Sequence, residues 1–228
     1  MQKMILTAGP YVAASANNIS LSQTGAPNAL VLNGSTAGIL DQPRRVLFTN
    51  SGDNSAVSFL VTGTTWGNSI VSETVAGNAS TAYTNTDFLT VTSIGIVGAS
   101  SAPNALTVGT NTVAGTAWAR LDGWANAASV NIQTTVSGTI NYTIQCTMDD
   151  PNSSRGLGNN ITGPNGGTPT ITIPNVTWDS TLPAVESVGV GISLNMAYTP
   201  VYVRALINSW TTTGSMTMNV MQQGVVSA

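Results

Sequence analysis

The sequence predicts an all-β protein with an antiparallel β-sandwich or jelly-roll-like fold, divided into two small β-subdomains. Three observations predict this fold. Apolar and polar residues alternate with a period of two along several stretches, which is the pattern of a strand with one buried face. β-branched Val, Ile and Thr are abundant, whereas the strong helix formers Glu, Lys and Leu are scarce. Clusters of Gly, Pro and Asn separate the alternating stretches at intervals of roughly 8–12 residues, as in sandwiches and barrels.

The clearest strand runs from Ile140 to Met148. Its apolar side consists of Ile140, Tyr142, Ile144, Cys146 and Met148, and polar residues occupy the other side. A second alternating run, Val130 to Val136, precedes it, and Ser137, Gly138 and Thr139 separate the two runs. Two alternating runs joined by a short Gly-containing turn predict a β-hairpin.

The C-terminal part repeats this pattern. An alternating run from Val201 to Ile207 is followed by a turn at Thr211–Gly214 and by a run from Met216 to Val220. This arrangement predicts a second hairpin that ends near Gly224.

The first half contains five further predicted strands, separated by turn-forming residues. The strands are Arg45–Phe48, Val57–Thr62, Ser69–Val75, Phe88–Val97 and Ala105–Gly109, and the main turns are Asn50–Asn54, Thr64–Asn68 and Ala99–Asn104.

The predicted domain organisation has three parts. Residues 1–40 form an N-terminal arm, residues 41–115 a first β-domain and residues 116–228 a second β-domain. The boundary near 115 is placed in Gly109–Thr116, which is rich in Gly and Thr and is the best candidate for a linker. The Gly- and Pro-rich stretch Asp149–Thr168 predicts a long exposed loop.

Charge is scarce in this chain, and this excludes several functions. The 228 residues include 6 Lys and Arg and 9 Asp and Glu, which is 7% of the chain, against about 25% in ordinary soluble domains. A net charge of −3 with Lys3 as the single lysine does not supply the phosphate contacts of a nucleic-acid-binding protein. We therefore expect no nucleic-acid partner.

The residue types also exclude much catalytic chemistry. The chain contains no His, which rules out Ser-His-Asp and Cys-His catalysis and His-ligated metals. Cys146 is the single cysteine, so no internal disulfide forms. Gly9 and Pro10 interrupt the first apolar run, and no apolar run approaches the ~18 residues of a membrane span. The sequence predicts a non-enzymatic protein with no cofactor, no signal peptide and no membrane partner.

The adjacent carboxylates Asp149 and Asp150 are the nearest approach to a catalytic or metal site. A glycosidase needs two carboxyl groups on different elements, and neighbouring residues at a strand end point in different directions. Together with Asn152 they offer oxygens for Ca²⁺, but their spacing matches no calcium loop. A strand-terminating turn is the favoured interpretation. Asp122 and Asp179 have no obvious partner in the sequence. We assign no catalytic and no metal-binding residues.

Cys146 lies on the apolar side of its predicted strand, with no neighbouring cation that would activate a thiolate. We therefore interpret it as a small buried hydrophobic residue.

The basic pair Arg44 and Arg45 has two interpretations. It either flanks a strand and pairs with Asp41 or Asp53, or it lies at an interface, where Arg is well tolerated.

The large apolar side chains have two interpretations. The five tryptophans could stack on sugars, but they are dispersed and are more typical of core or interface anchors; they are Trp66, Trp118, Trp124, Trp178 and Trp210. The clustered methionines suit either an adaptable packing surface or the core; they are Met216, Met218 and Met221.

Long blocks of the chain resemble virion structural proteins of tailed bacteriophages. The first block, Arg44 to Gly109, begins RRVLFTNSGDNSAVSFLVTGTTWGNSIVSETVAGNAST, and the second half adds INYTIQCTMDDP and VYVRALINSWTTTGSMTMNVMQQG. The blocks cover well over half of the chain. The sequence departs from the usual pattern at Thr64–Gly67, where acidic turn residues are common.

The resemblance implies a β-sandwich protein that decorates or cements the capsid shell of the virion after synthesis in the host bacterial cytoplasm. It implies that the partners are the major capsid protein or other virion proteins and that the chain forms a homo-oligomer. It implies no catalytic residues. Low charge agrees with assembly, because Lys is costly to bury at an interface. The alternative is a neck or tail component, such as an adaptor, tube-associated or fibre-base protein. A third hypothesis is a carbohydrate-binding receptor-recognition domain that uses Trp and Tyr.

Overall fold

A computed structural model of the chain describes residues 2–24, 29–33, 38–68, 70–97, 104–122, 130–148, 185–188, 193–196, 200–211 and 214–222. Strands are the regular elements of these residues, and they are paired in antiparallel sheets, so the predicted all-β, sandwich-like fold is confirmed. The described residues contain no helix long and apolar enough to span a bilayer.

Fifteen strands are assigned in this part of the chain. They are β1 (Gln2–Ala8), β2 (Ser15–Gln23), β3 (Ile39–Asn50), β4 (Ser58–Thr64), β5 (Ile70–Ala76), β6 (Thr81–Tyr83), β7 (Phe88–Val97), β8 (Leu106–Gly115), β9 (Ala119–Arg120), β10 (Val130–Ser137), β11 (Thr139–Thr147), β12 (Val185–Val188), β13 (Ser193–Asn195), β14 (Tyr202–Trp210) and β15 (Ser215–Gln222).

The described residues belong to two compact units. Unit 1 takes residues 2–13 and the described residues from 113 onwards, and unit 2 takes those between 14 and 112. The predicted boundaries after residues 40 and 115 stay a prediction. The segment 1–40, expected to be an arm, contains two strands, and β1 pairs with β15 of the same chain along its whole length.

Unit 1 is a two-sheet sandwich. The first sheet, called sheet A here, has the strand order β1-β15-β10-β13. The second sheet is built around β11 and β14, which pair with each other. The other side of β11 pairs with β12. The other side of β14 pairs with two short partners, β9 and residues 114–115 of β8. Alternate residues of β10, β11, β14 and β15 enter one apolar core, which includes Ile132, Ile144, Ile207 and Met218. Burial of such side chains contributes about 1.5–3 kcal/mol each.

The predicted hairpins of unit 1 are wrong, although the predicted strands are correct. β10 pairs with β13 and β15 in sheet A, whereas β11 pairs with β12 and β14 in the other sheet. β14 and β15 are divided between the two sheets in the same way. The turns at Gly138 and at Thr211–Gly214 therefore carry the chain from one sheet to the other. Gly138 has a positive φ of 73°, a conformation that costs a glycine little.

A polar pair crosses the core of this sandwich. The hydroxyl groups of Thr134 on β10 and Tyr142 on β11 share a buried hydrogen bond of 2.6 Å. Burial raises the pKa of the Tyr142 hydroxyl above its ordinary value, and the hydrogen bond from Thr134 opposes that shift. A raised pKa means that this group contributes stability below the ordinary tyrosine value of about 10, and that the contribution is lost at higher pH.

We expect Tyr142→Phe to lower the free energy of unfolding at neutral pH by about 1 kcal/mol, the net value of a buried hydrogen bond. The loss of stability of the wild type above pH ~10 should become shallower in this variant. Urea denaturation at neutral and alkaline pH measures both effects. Tyr83 is exposed, and Tyr83→Phe as the control should change stability by less than about 0.5 kcal/mol. An unchanged alkaline profile in Tyr142→Phe would contradict the assignment.

Unit 2 is a curled sheet with the strand order β8-β3-β7-β4-β5, in which β2 pairs with β8 and β6 with β3. Its core includes the stacked rings of Phe48 and Phe59, whose centroids lie 4.6 Å apart. β4 and β5 form a true hairpin around the turn predicted at Thr64–Asn68. The five strands predicted for the first half are confirmed; Phe88–Val97 has the predicted ends, and the ends of the other four are shifted.

Most of the segment predicted as a linker, Gly109–Thr116, belongs to a strand. Residues 106–115 form β8, and the division between the two units falls within this strand. The β-branched residues Thr110, Thr112 and Val113 favour an extended strand, and this preference prevails over the flexibility of the glycines. The loop predicted at Asp149–Thr168 lies outside the described residues.

Candidate interaction surface

Several of the few charged side chains are buried, which makes the surface more neutral than the composition indicates. Arg44, Glu73, Asp87 and Arg204 are all buried. An ionic group removed from water needs a partner, because the desolvation cost is several kcal/mol. Each of the four has partners within its own unit, so these charges serve the fold.

The basic pair Arg44 and Arg45 is divided between two environments. Arg44 is 1% exposed, and its Nη2 lies 2.7 Å from Oδ2 of Asp41. The prediction that Asp41 or Asp53 pairs with this segment is confirmed for Asp41. Arg45 is partly exposed, with its Nε 3.8 Å from Oδ1 of Asp87, and its guanidinium lies 5.9 Å from the ring centre of Tyr83.

Glu73 of β5 closes the turn after β6. Its two carboxylate oxygens accept hydrogen bonds from the backbone N–H groups of Asn85 and Thr86, at 2.7 and 2.8 Å. These charge-assisted bonds fix the approach to β7. The carboxylate is therefore structural.

Arg204 of β14 is held by neighbouring side chains in unit 1. Its Nε donates to Oε1 of Gln145 at 2.9 Å, and its guanidinium lies 4.5 Å from the ring centre of Trp118. A cation above an indole face in a buried setting contributes about 1–2 kcal/mol. This arrangement assigns Trp118 a packing role.

The outward side of sheet A is an uncharged surface apart from one lysine, and we call it the amide face. The strand register places its side chains in rows: Ile5 lies beside Asn219, Asn219 beside Gln133, and Gln133 beside Ser193. The amide face comprises Lys3, Ile5, Thr7, Asn131, Gln133, Thr135, Ser193, Thr217, Asn219 and Met221.

The polar groups of the amide face are available to a partner. Asn131, Gln133 and Asn219 make no side-chain hydrogen bond within the part of the chain that the structure describes. Each amide offers two donors and one acceptor oxygen. The rows on adjacent strands are about 4.7–4.9 Å apart, so these groups form a regular array.

Unit 2 has a contrasting hydroxyl face on β4, β5 and β7, formed by Thr62, Thr64, Ser72, Thr74, Thr90 and Thr92. Its hydroxyl groups bond mainly to this same sheet. Thr62 and Ser72 lie 2.9 Å apart, Thr64 and Thr90 lie 2.7 Å apart, and Thr92 donates to the carbonyl of Thr62. This face therefore offers fewer free hydrogen-bonding groups.

The predicted burial of Cys146 is confirmed, because this thiol lies in the core of unit 1. Met216 and Met218 are also in this core, whereas Met221 lies on the amide face.

Asp122 has a partner that the sequence did not reveal. Its backbone N–H donates to the side chain of Gln222, which donates in turn to the Asp122 carbonyl.

The described tryptophans have separate surroundings within their own units. Trp210 stacks on Tyr11 with the ring centres 4.4 Å apart, Trp118 packs on Arg204, and Trp66 is 38% exposed in unit 2. Trp124, Trp178, Asp149, Asp150, Asn152 and Asp179 lie outside the described residues. Within the described ranges no three His, Cys, Asp or Glu side chains are grouped as metal ligands.

Comparison of the chain with protein-family models, with curated proteins and with solved structures found no match. The amide face was not predicted from the sequence. Its signal was present in the polar positions of the alternating runs, but the strand order that assembles them into one surface is not visible in the sequence.

Proposed function

We propose that this chain is a non-enzymatic virion structural protein that binds the major capsid protein lattice and stabilises the particle. The amide face carries the proposal. It is a regular array of uncharged donors and acceptors on paired strands, and its amide side chains make no hydrogen bond within the described part of the chain. The resemblance of the sequence to phage virion proteins supports the same function.

The chemistry of the face suits a permanent contact. Burying an uncharged amide against a partner costs little when its hydrogen bonds are replaced, whereas burying an unpaired charge costs far more. The backbone of the face is fixed by strand pairing before a partner binds, so association orders side chains only. The amide face would bridge neighbouring capsid subunits by hydrogen bonds, with Ile5 and Met221 as its apolar contacts.

A charge placed in the amide face should weaken capsid binding. We expect Gln133→Glu to lower the affinity for capsids that lack this chain by at least about tenfold, because the carboxylate would be desolvated without a partner. Gln133 is exposed, so the stability should change by less than about 0.5 kcal/mol. Thr92→Glu on the hydroxyl face of unit 2 is the matched control and should bind normally. Co-sedimentation with such capsids measures both affinities.

The salt dependence provides a second readout of the same contact. Because the face carries a single charge, Lys3, the wild-type affinity should change by less than about threefold between roughly 50 and 500 mM NaCl. If Thr92→Glu abolishes binding and Gln133→Glu does not, the amide face is the wrong surface. If the wild type fails to bind capsids and does not stabilise them, the proposed function itself is wrong.

The copy number in purified particles separates decoration from the alternative neck or tail function. Hundreds of copies spread over the shell, located by cryo-EM, are the expected result. A ring of six or twelve copies at one vertex would replace capsid decoration by a neck or tail role.

A further inference from the structure

Strand β1 forms one edge of sheet A. One side of it pairs with β15 through seven consecutive residues without a bulge, and no strand of the described part of the chain pairs with its other side. A regular edge strand presents unpaired backbone N–H and C=O groups that can pair with a further strand. β1 contains no proline, and its single charge is Lys3.

The side chains of β1 are divided between two faces. Met4 and Leu6 point towards the core of unit 1 and pack against it, but they are only partly buried. Lys3, Ile5 and Thr7 point to the amide face, and Ile5 is 56% exposed. The apolar core of the sandwich therefore extends to this edge and is incompletely covered there.

The residue pattern of β1 is complementary to itself in one antiparallel register. When two copies are related by a two-fold axis at Ile5, Ile5 lies opposite Ile5 of the second copy, Met4 opposite Leu6, and Lys3 opposite Thr7. Apolar residues then face apolar residues, and the two ammonium groups are kept apart. A shift of one residue would reverse the two faces of the strand and expose the apolar pairs.

We infer that two copies of this chain associate through β1, antiparallel and centred on Ile5. The pairing joins two copies of sheet A into one eight-stranded sheet and brings the two amide faces together as a continuous surface. A second copy is the favoured occupant because the strand is self-complementary and nearly uncharged, and an isologous two-fold contact is the commonest form of association. The inference does not depend on the proposed function.

The interface is small, since it consists of one strand pair with its adjacent side chains. Contacts of this size are usually weak. We therefore expect a dimer that dissociates in the micromolar range, on the order of 1–100 μM, so that dimers are the main species at high protein concentration.

Sedimentation equilibrium of the full chain tests this dimer. The wild type should be dimeric at high concentration, whereas Ile5→Lys and Ile5→Glu should each be monomeric, because two like charges would lie opposite each other. An equimolar mixture of the two variants should restore the dimer by pairing Lys with Glu. Ile39→Lys is the matched control, since Ile39 is 64% exposed on β3, and it should remain dimeric.

Cross-linking tests the register. Lys3→Cys and Thr7→Cys should give little disulfide-linked dimer when each is oxidised alone, and substantially more when they are mixed. Cys146 is buried and should not react. A monomeric wild type at high concentration would overturn the inference, as would an Ile5→Lys variant that remains dimeric. Efficient linkage of Thr7→Cys to itself would overturn the register.

Discussion

Replacement of Arg44 by Met should lower the free energy of unfolding by about 3 kcal/mol. The guanidinium is fully buried, its Nη2 lies 2.7 Å from Asp41, and its Nη1 lies 3.4 Å from the hydroxyl of Thr110. Methionine fills much of the volume but leaves Asp41 without its cation, and breaking a buried ion pair typically costs 3–5 kcal/mol. The lower part of that range applies because the Asp41 side chain is 25% exposed. Urea denaturation followed by circular dichroism measures the effect.

Arg45 provides a matched control for this prediction. It has the same residue type at the next position, but it is partly exposed and its contact to Asp87 is 3.8 Å. Its partner Asp87 is buried, but the Nε and Oδ1 atoms are not hydrogen-bonded to each other, so Arg45→Met should cost less than Arg44→Met, about 1–2 kcal/mol. When Asp41 is first replaced by Asn, the further substitution Arg44→Met should lower the free energy of unfolding by less than it does in the wild type. The reason is that no charged carboxylate then remains without its cation. If Arg44→Met and Arg45→Met lower the free energy of unfolding equally, the buried contact between Arg44 and Asp41 does not contribute the extra stability assigned to it.

Replacement of Asn54 by Ala should destabilise the protein by about 2–3 kcal/mol. The side chain is 1% exposed. Its Nδ2 donates to Oδ1 of Asn50 at 2.8 Å and to the carbonyl of Asn104 at 3.3 Å, and its Oδ1 accepts from the N–H of Asn104 at 2.7 Å. Alanine removes all three hydrogen bonds, each of which contributes about 0.5–1.5 kcal/mol net. Urea denaturation measures the change.

Asn78 is the control for this network. It is exposed, and its side chain accepts one hydrogen bond, from the N–H of Ser80. Asn78→Ala should therefore change stability by about 0.5 kcal/mol or less. If Asn54→Ala has an equally small effect, water replaces the lost side chain and the network contributes little to the fold.

Residue type alone does not determine how strongly a substitution at these sites destabilises the protein. Arg44 and Arg45 are neighbours with the same side chain, and Asn54 and Asn78 are both asparagines near turns. The cost of each substitution depends on burial and on the partners brought together from distant positions, such as Thr110 and Asn104. These partners lie 50 or more residues away in the sequence, beyond the range of local patterns.

The amide face depends in the same way on sequence-distant strands. Its polar residues on β10 and β15 were visible as the outward half of two alternating runs. These residues lie side by side because β10 pairs with β15. Ile5 joins the same surface because β1 pairs with the other side of β15. A local pattern indicates that a residue points outward, but it does not indicate which other residues lie beside it.

The sequence by itself determined the all-β class, the position of most strands and the buried face of the regularly alternating strands β10, β11 and β15. These properties follow from a period of two and from the preferences of single residues, as the burial of Ile140, Tyr142, Ile144 and Cys146 shows. Met148, which continues the same alternation, lies beyond the end of β11 and is 64% exposed. Only the tertiary structure decided which strands share a sheet. Thr134 and Tyr142 lie four residues on either side of Gly138, so they face each other both in a hairpin and across a sandwich. The choice between these arrangements depends on backbone pairing with β14 and β15 and on burial of a common core, which are long-range interactions that a local alternation does not contain.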